Sequence, residues 1–241
     1  VSVVERHAPL RTVIKEDEHG ALFGQLLPVP DSTQLLTVET YNKIDVLEAD
    51  AAIPFKLDQD YSLRARLVLV DSAHARLLIT VHHQAADAIS VGMLARELDQ
   101  AYVAYCEGHP PTWDPLSVTY ADWANWQQRK LEISAATRIE KIKQRMTEFP
   151  ELLTLPLDRP RQANSKRPAK HLAIRLKPDV AAKLRPLAAR NDTTLFATLV
   201  ACYAATLGRL AGQQDVVIGS PVAGRQHVET EGLVGFLLNT L

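Results

Sequence analysis

Val81-His82-His83-Gln84-Ala85-Ala86-Asp87-Ala88-Ile89-Ser90 joins two stretches of different period. Before it, Leu63, Ala65, Leu67 and Leu69 alternate with Arg64, Arg66, Val68 and Val70, and Asp71-Ser72-Ala73-His74 breaks the run. The chain then returns with Leu77, Ile79, Val81 and His83 on one face and Leu78, Thr80 and His82 on the other. This predicts a β-hairpin whose last strand sends the two histidines to opposite faces. After it, Val91, Leu94, Ala95, Leu98, Ala101, Tyr102 and Tyr105 recur at the spacing of one helical stripe, which Gly108 and Pro110-Pro111 end.

Further along, a helix is expected from near Val118 to about Lys143, with Tyr120, Trp123 and Ala124 on one side. Pro150, Pro156, Pro160 and Pro168, interleaved with polar and basic residues, can neither propagate a helix nor fill a central strand. A boundary is placed there, separating residues 1–149 from 171–241 by a linker at 150–170. Beyond it, His171–Leu176 reads as a strand and Pro178–Arg190 as a helix, with Pro186 predicting a kink or an early stop. Leu195–Leu210 reads as a buried helix ending near Gly212, and Asp215–Gly219 as a buried strand. The fold class is α/β of the α+β kind.

Composition narrows the function. The 241 residues are enough for a sizeable core, and 46% apolar with 23% charged residues is the balance of a globular protein. Lys plus Arg number 27 against 28 for Asp plus Glu, and the basic residues are scattered except from Arg159 to Lys170, so no nucleic-acid partner is expected. The apolar run Leu195–Leu210 is interrupted by Thr198, Thr206, Gly208 and Arg209, so no membrane partner is expected either. Cys106 and Cys202 fall in helical patterns, where a free thiol acts as a small hydrophobe; a reducing, cytoplasmic setting is expected. Val1 opens without a start Met and 233–241 is an apolar run that stops abruptly, so the chain reads as a piece of something longer.

A histidine at a strand-to-helix turn titrates near neutrality and can take or share a proton, an effect worth about 10² to 10⁴ in rate. A single strand-end histidine is more commonly structural. Adjacent strand histidines point apart and no third ligand lies at useful spacing, so no metal is expected. Asp87 can cap the following helix or pair with an arginine. Neither a G-x-S-x-G nucleophile motif nor a glycine-rich phosphate cradle is present.

Five segments in order carry a resemblance. His82-His83-Gln84-Ala85-Ala86-Asp87-Ala88 resembles the HHxxxDG motif of the condensation domains of nonribosomal peptide synthetases. Arg6-His7-Ala8-Pro9-Leu10-Arg11-Thr12 is similar to their RHExLRT, and Tyr120-Ala121-Asp122-Trp123-Ala124-Asn125-Trp126-Gln127 to YxDYAxWQ. Gly219-Ser220-Pro221-Val222-Ala223-Gly224-Arg225 resembles GxPxAGR, and Val234-Gly235-Phe236-Leu237-Leu238-Asn239-Thr240-Leu241 resembles IGxFVNTL. The family's first motif would precede Val1 and its last two would follow Leu241.

The resemblance implies two chloramphenicol acetyltransferase-like subdomains in a V, incomplete here at both ends, with a tunnel between them. It implies amide-bond formation between a donor acyl or peptidyl thioester on an upstream carrier domain and an aminoacyl acceptor on a downstream one. No intrinsic cofactor is implied, only the phosphopantetheine arms of the partner carriers, with an adenylation domain adjacent. His83 falls on the reacting histidine, as general base or as positioner of the amine and tetrahedral intermediate. His82 and Asp87 fall on supporting positions, with Asp87 expected to pair with Arg6. Arg11 joins them as motif support, and Tyr120, Trp126, Gly219, Pro221, Arg225, Gly235 and Asn239 are motif or tunnel residues. Ala88 replaces the family glycine, which matters if that position needs φ > 0 or close backbone approach. Three other readings stay open: a related acyltransferase, an epimerisation domain (though its EGHGR segment is not seen), and a noncatalytic module that recruits a partner enzyme.

Overall fold

The computed structural model describes residues 1–40, 51–159 and 172–241. In chain order they form α1 (Ser2–Arg6), a 3-10 turn (Ala8–Arg11), β1 (Thr12–Glu16), β2 (Leu22–Leu26), α2 (Ser32–Leu35) and β3 (Leu36–Thr40). There follow β4 (Leu63–Leu69), β5 (Ala75–Val81), α3 (Ala88–Cys106), α4 (Tyr120–Met146), α5 (Pro178–Arg190) and α6 (Leu195–Ala211). The last elements are β6 (Pro221–Val222), a 3-10 turn (Val228–Thr230) and β7 (Asn239–Thr240).

The expected hairpin forms, with Leu63 opposite Val81 and Leu69 opposite Ala75. Its turn is tied by the Asp71 carboxylate, which accepts from the backbone N–H groups of Ala73 and His74 at 2.8 Å. β3, not anticipated from the sequence, pairs with β4 in parallel to give the order β3-β4-β5. β1 with β2 and β6 with β7 make two further antiparallel pairs.

The described residues fall into two compact units, Val1–Ser134 with Pro221–Leu241, and Ala135–Ser220. This division differs from a boundary at 150–170, of which 160–170 lies outside the described residues. Residues 221–241 group with the first unit because their side chains and backbone complete its core and its polar network. Val234 is buried with Val3, Leu10, Leu63, Ala86 and Leu94, while Leu233 and Leu237 are buried with Trp123.

α3 forms where its pattern predicts, but it is rotated. Its inward side is Ser90, Met93, Leu94, Ala101 and Ala104, with Glu97 and Leu98 half-buried, whereas Val91, Ala95, Tyr102 and Tyr105 are exposed. Two polar anchors decide this: Ser90 faces the buried Asp87–Arg225 pair and Glu97 faces the buried His7 and the half-buried Arg6, and a helix cannot hold both inward and keep Val91 and Tyr102 there too.

In the second unit α5 runs through Pro186 to Arg190, so the early stop does not occur. The proline deletes one N–H, and the ladder on either side carries the helix on. α6 is capped by the Thr194 hydroxyl, which accepts from Ala197 N–H at 3.1 Å, and ends at Gly212 with φ 64°. The expected strands do not form: Leu172–Leu176 and Asp215–Gly219 are described and irregular, His171 lying outside the described residues. Among the described residues no strand pairs with them, and a β-favouring run becomes a strand only against a partner. Cys106 and Cys202 are free and exposed on their helices, not core hydrophobes. Among the described residues no single helix is long and apolar enough to cross a membrane.

Candidate active site

β5 stops at Val81, and residues 82–87 turn into α3, held by three backbone bonds. His82 N–H donates to Ser62 O at 2.8 Å, Ala85 N–H to His82 O at 3.0 Å and Asp87 N–H to Gly235 O at 3.2 Å. The two histidines have separate surroundings. His82 meets the edge of Phe55 at 5.7 Å, and its Nδ1 accepts from Gln84 N–H at 3.2 Å. His83 is exposed; its Nδ1 lies 2.8 Å from Ala86 O, and its ring stands at 85° to that of Phe236, 5.0 Å away. A carbonyl oxygen only accepts, so Nδ1 carries a proton, and in the uncharged form of the ring the lone pair is on Nε2.

Asp87 is the N-cap of α3 and is buried, 1% exposed. Its Oδ1 accepts from Ser90 N–H (2.8 Å), the Ser90 hydroxyl (2.9 Å) and Arg225 Nη2 (3.1 Å); its Oδ2 accepts from Arg225 Nη1 (2.7 Å) and Leu237 N–H (3.2 Å). Burial opposes ionisation here, but the Arg225 guanidinium and the Ser90 and Leu237 donors outweigh it and hold the carboxyl below the usual carboxylate range. Arg225 Nη2 also donates to Leu233 O at 3.1 Å, and Gly235 N–H donates to Ser90 Oγ at 3.0 Å. The turn beside His83 is thus bolted to segment 225–237 by a bidentate ion pair.

The expected Asp87–Arg6 pair is therefore corrected. Arg6 Nε donates to Glu97 Oε1 at 3.0 Å, and its guanidinium lies 5.4 Å from the Trp113 ring centre. His7, 1% exposed, shares Glu97 through Nε2 at 2.5 Å. Burial opposes ionisation of Glu97 and is outweighed by His7 and Arg6, which hold its carboxyl low. Since Arg6 and Asp87 share no partner among the described residues, the double variant Arg6→Ala/Asp87→Ala is expected to lose stability additively, within about 0.5 kcal/mol of the sum of the single losses in denaturant unfolding.

The remaining expected residues are distributed as follows. Ala88 is the first residue of α3, exposed and without positive φ, so no left-handed backbone makes glycine necessary there. Arg11 Nη1 donates to Leu27 O at 2.8 Å, joining β1 and β2 at their open end. The Tyr120 hydroxyl donates to Phe236 O at 3.0 Å; burial first, and then the Asp87 charge, push this phenol up, so it remains a donor. Trp126 meets His227 edge-on at 5.0 Å beside a cavity of about 310 Å³ also lined by Trp123 and Glu229. Pro221 opens β6, whose partner β7 holds Asn239, exposed and turned onto its own chain by accepting from Thr240 N–H at 2.8 Å. Gly219 belongs to the second unit. Gly235 and Gly224 are steric requirements: a Cβ on Gly235 would run into the Tyr120 ring, and one on Gly224, whose φ is 66°, would strike Leu237 O. Gly224→Ala combines that clash with a left-handed backbone and is expected to cost more than about 2 kcal/mol, read as a fall in Tm of the intact protein.

Ser90, Leu237 and Phe236 complete the site and were not singled out from sequence. Phe236 had a signal, since it occupies the phenylalanine of the IGxFVNTL-like segment.

The condensation-domain family matches residues 1–241, and the chain belongs to it. It is 38% identical over 246 residues to phosphinothricin tripeptide synthetase PhsB of Streptomyces viridochromogenes, covering 99% of this chain and 21% of that protein. It is 34% identical over 248 residues to the dimodular nonribosomal peptide synthase of Bacillus subtilis, covering 99% of this chain and 10% of the other. Among solved structures it superposes on the X-domain from teicoplanin biosynthesis with a TM-score of 0.87 at 26% identity, covering 99% of this chain and 54% of that one. The chain thus spans about a fifth or less of these curated relatives, and it has the mixed helix-and-sheet, chloramphenicol acetyltransferase-like fold of condensation domains.

Proposed function

We propose that a nonribosomal peptide synthetase containing this chain uses it to form an amide bond between two carrier-bound substrates, with His83 at the reacting centre. The donor is an acyl or peptidyl thioester on the phosphopantetheine arm of an upstream carrier; the acceptor is an aminoacyl thioester on a downstream one, with an adenylation domain adjacent. The acceptor amine attacks the thioester carbonyl carbon, forming the C–N bond; the C–S bond breaks, and the thiolate leaves with the proton the amine gives up. His83 receives or holds that proton in transit through Nε2. The carrying observation is the Nδ1–H···O bond to Ala86 at 2.8 Å on an exposed ring, which keeps the Nε2 lone pair available. Asp87 and Arg225 support the turn without touching substrate. The two exposed free thiols fit a reducing cytoplasm.

A second reading has one observation behind it: the X-domain from teicoplanin biosynthesis, 26% identical with a TM-score of 0.86, is solved in complex with OxyB. On this reading the chain belongs to a module that docks a partner protein and does not itself form the amide bond. The test is intact-protein mass spectrometry on the synthetase with both carriers loaded. The acceptor is expected to gain the donor acyl mass. If folded wild-type protein leaves every loaded acceptor unchanged, the docking reading takes its place.

A further inference from the structure

We infer that Phe236 is a positioning residue that fixes the imidazole plane of His83, an inference resting on the condensation reading above. The Nδ1 bond to Ala86 O holds one edge of the His83 ring. Rotation about an sp³–sp² bond such as Cβ–Cγ is broad, so that single bond leaves the direction of Nε2 loosely set. Phe236 supplies the second constraint, its ring standing at 85° to the imidazole with centres 5.0 Å apart. Edge-to-face contacts of this kind bias an orientational equilibrium by about two- to tenfold.

The backbone around Phe236 explains how such a contact stays in register. Gly235 N–H donates to Ser90 Oγ at 3.0 Å, and Gly235 O accepts from Asp87 N–H at 3.2 Å. Phe236 O accepts from the Tyr120 hydroxyl at 3.0 Å, and Leu237 N–H donates to Asp87 Oδ2 at 3.2 Å. Three consecutive residues are therefore pinned to the network that also sets the histidine turn. The core role of this segment belongs to its neighbours: Val234 and Leu237 are 1% and 0% exposed, whereas Phe236 is 39% exposed. The ring contact that the structure gives Phe236 is His83.

The experiment measures single-turnover transfer in the intact synthetase, with both carriers loaded, for wild type, His83→Ala, Phe236→Ala, Phe236→Leu and Phe236→Tyr. Phe236→Ala is expected to slow transfer by about two- to tenfold at saturating acceptor, with the half-saturating acceptor concentration unchanged, because a small misplacement of a reacting group costs rate before it costs binding. Phe236→Tyr is expected to restore the rate, and Phe236→Leu, similar in bulk but not aromatic, to remain slow. Histidine nitrogen NMR reads the same effect without turnover: one Nδ1–H tautomer of His83 in wild type, a mixture in Phe236→Ala. Full rate in Phe236→Ala alongside loss in His83→Ala overturns the inference and leaves the condensation reading standing. Rescue by leucine equal to that by tyrosine overturns it in favour of packing, and a change in half-saturation alone overturns it in favour of substrate contact. Full rate in His83→Ala overturns the placement of His83 at the reacting centre, and this inference with it, while leaving amide-bond formation by the domain standing.

Discussion

Replacing His83 by alanine is expected to lower amide-bond formation by about 10²-fold or more while leaving the protein folded, which is the range for loss of a positioned proton-transfer group. The folding half of this expectation follows from what the side chain holds. Among the described residues His83 makes one hydrogen bond, to Ala86 O, and one ring contact, to Phe236. The turn itself is kept by His82 N–H to Ser62 O, Ala85 N–H to His82 O and Asp87 N–H to Gly235 O, none of which uses the imidazole. Truncation of an exposed side chain with so few partners costs about 1 kcal/mol or less, so Tm is expected to change little. His83→Asn separates the two roles left open by the sequence. An amide keeps a group that can accept a hydrogen bond from the amine but cannot carry its proton. Transfer close to wild type in His83→Asn identifies a positioner; transfer as low as in His83→Ala identifies a base. Unchanged transfer in both variants would remove His83 from the chemistry.

The parts of the fold legible in the sequence were those whose signal is local. The β4–β5 hairpin and the start and end of α3 follow from alternation, a turn-forming Asp71 and a terminating Gly108 with φ 86°. β2 was illegible for a physical reason: all five of its residues are exposed, so no buried face imprints a pattern on Leu22–Leu26. β3 was missed because its exposed and half-exposed positions give no alternation, and its identity as a strand comes from its parallel partner β4.

The candidate site was legible as a set of segments and illegible as a set of pairs. Motif order brought Asp87, Arg6 and Arg225 to attention together, yet a charge pair depends on which side of a helix faces which segment. Ser90 and Asp87 open α3 toward residues 225–237, and Glu97, two turns on, presents its carboxylate to Arg6 and His7. The same rotation that hides Ser90 and Glu97 exposes Val91 and Tyr102, so one error in the helix face and one error in the ion pair have a common origin. A stripe counted from apolar residues alone assigns no weight to buried polar anchors, and here these set the orientation.

Removing either member of the Asp87–Arg225 pair is expected to cost about 3–5 kcal/mol, and removing both to cost less than the sum by about 0.5–3 kcal/mol. Both side chains are secluded, at 0% and 5% exposure, so each single variant strands a charge away from water. The strandings are unequal. Among the described residues, in Arg225→Ala the carboxylate keeps the Ser90 N–H and hydroxyl and the Leu237 N–H, whereas in Asp87→Ala the guanidinium keeps Ser90 Oγ and the carbonyls of Leu233 and, at 3.5 Å, Ala223. Asp87→Ala is therefore expected to be the more damaging, and denaturant unfolding of the intact domain for the four members of the cycle measures both the order and the coupling. The same pair predicts an acid limb. Because the folded Asp87 carboxyl is held below its unfolded value of about 3.9, its contribution is fully present above that pH and is lost as pH falls through the folded value. Asp87→Asn, which keeps the shape and removes the titration, is expected to lower stability at neutral pH and to flatten the decline below about pH 4. Wild-type and Asp87→Asn curves that fall in parallel on acidification would place the acid sensitivity elsewhere, with Glu97, held low by His7 and Arg6, next in line.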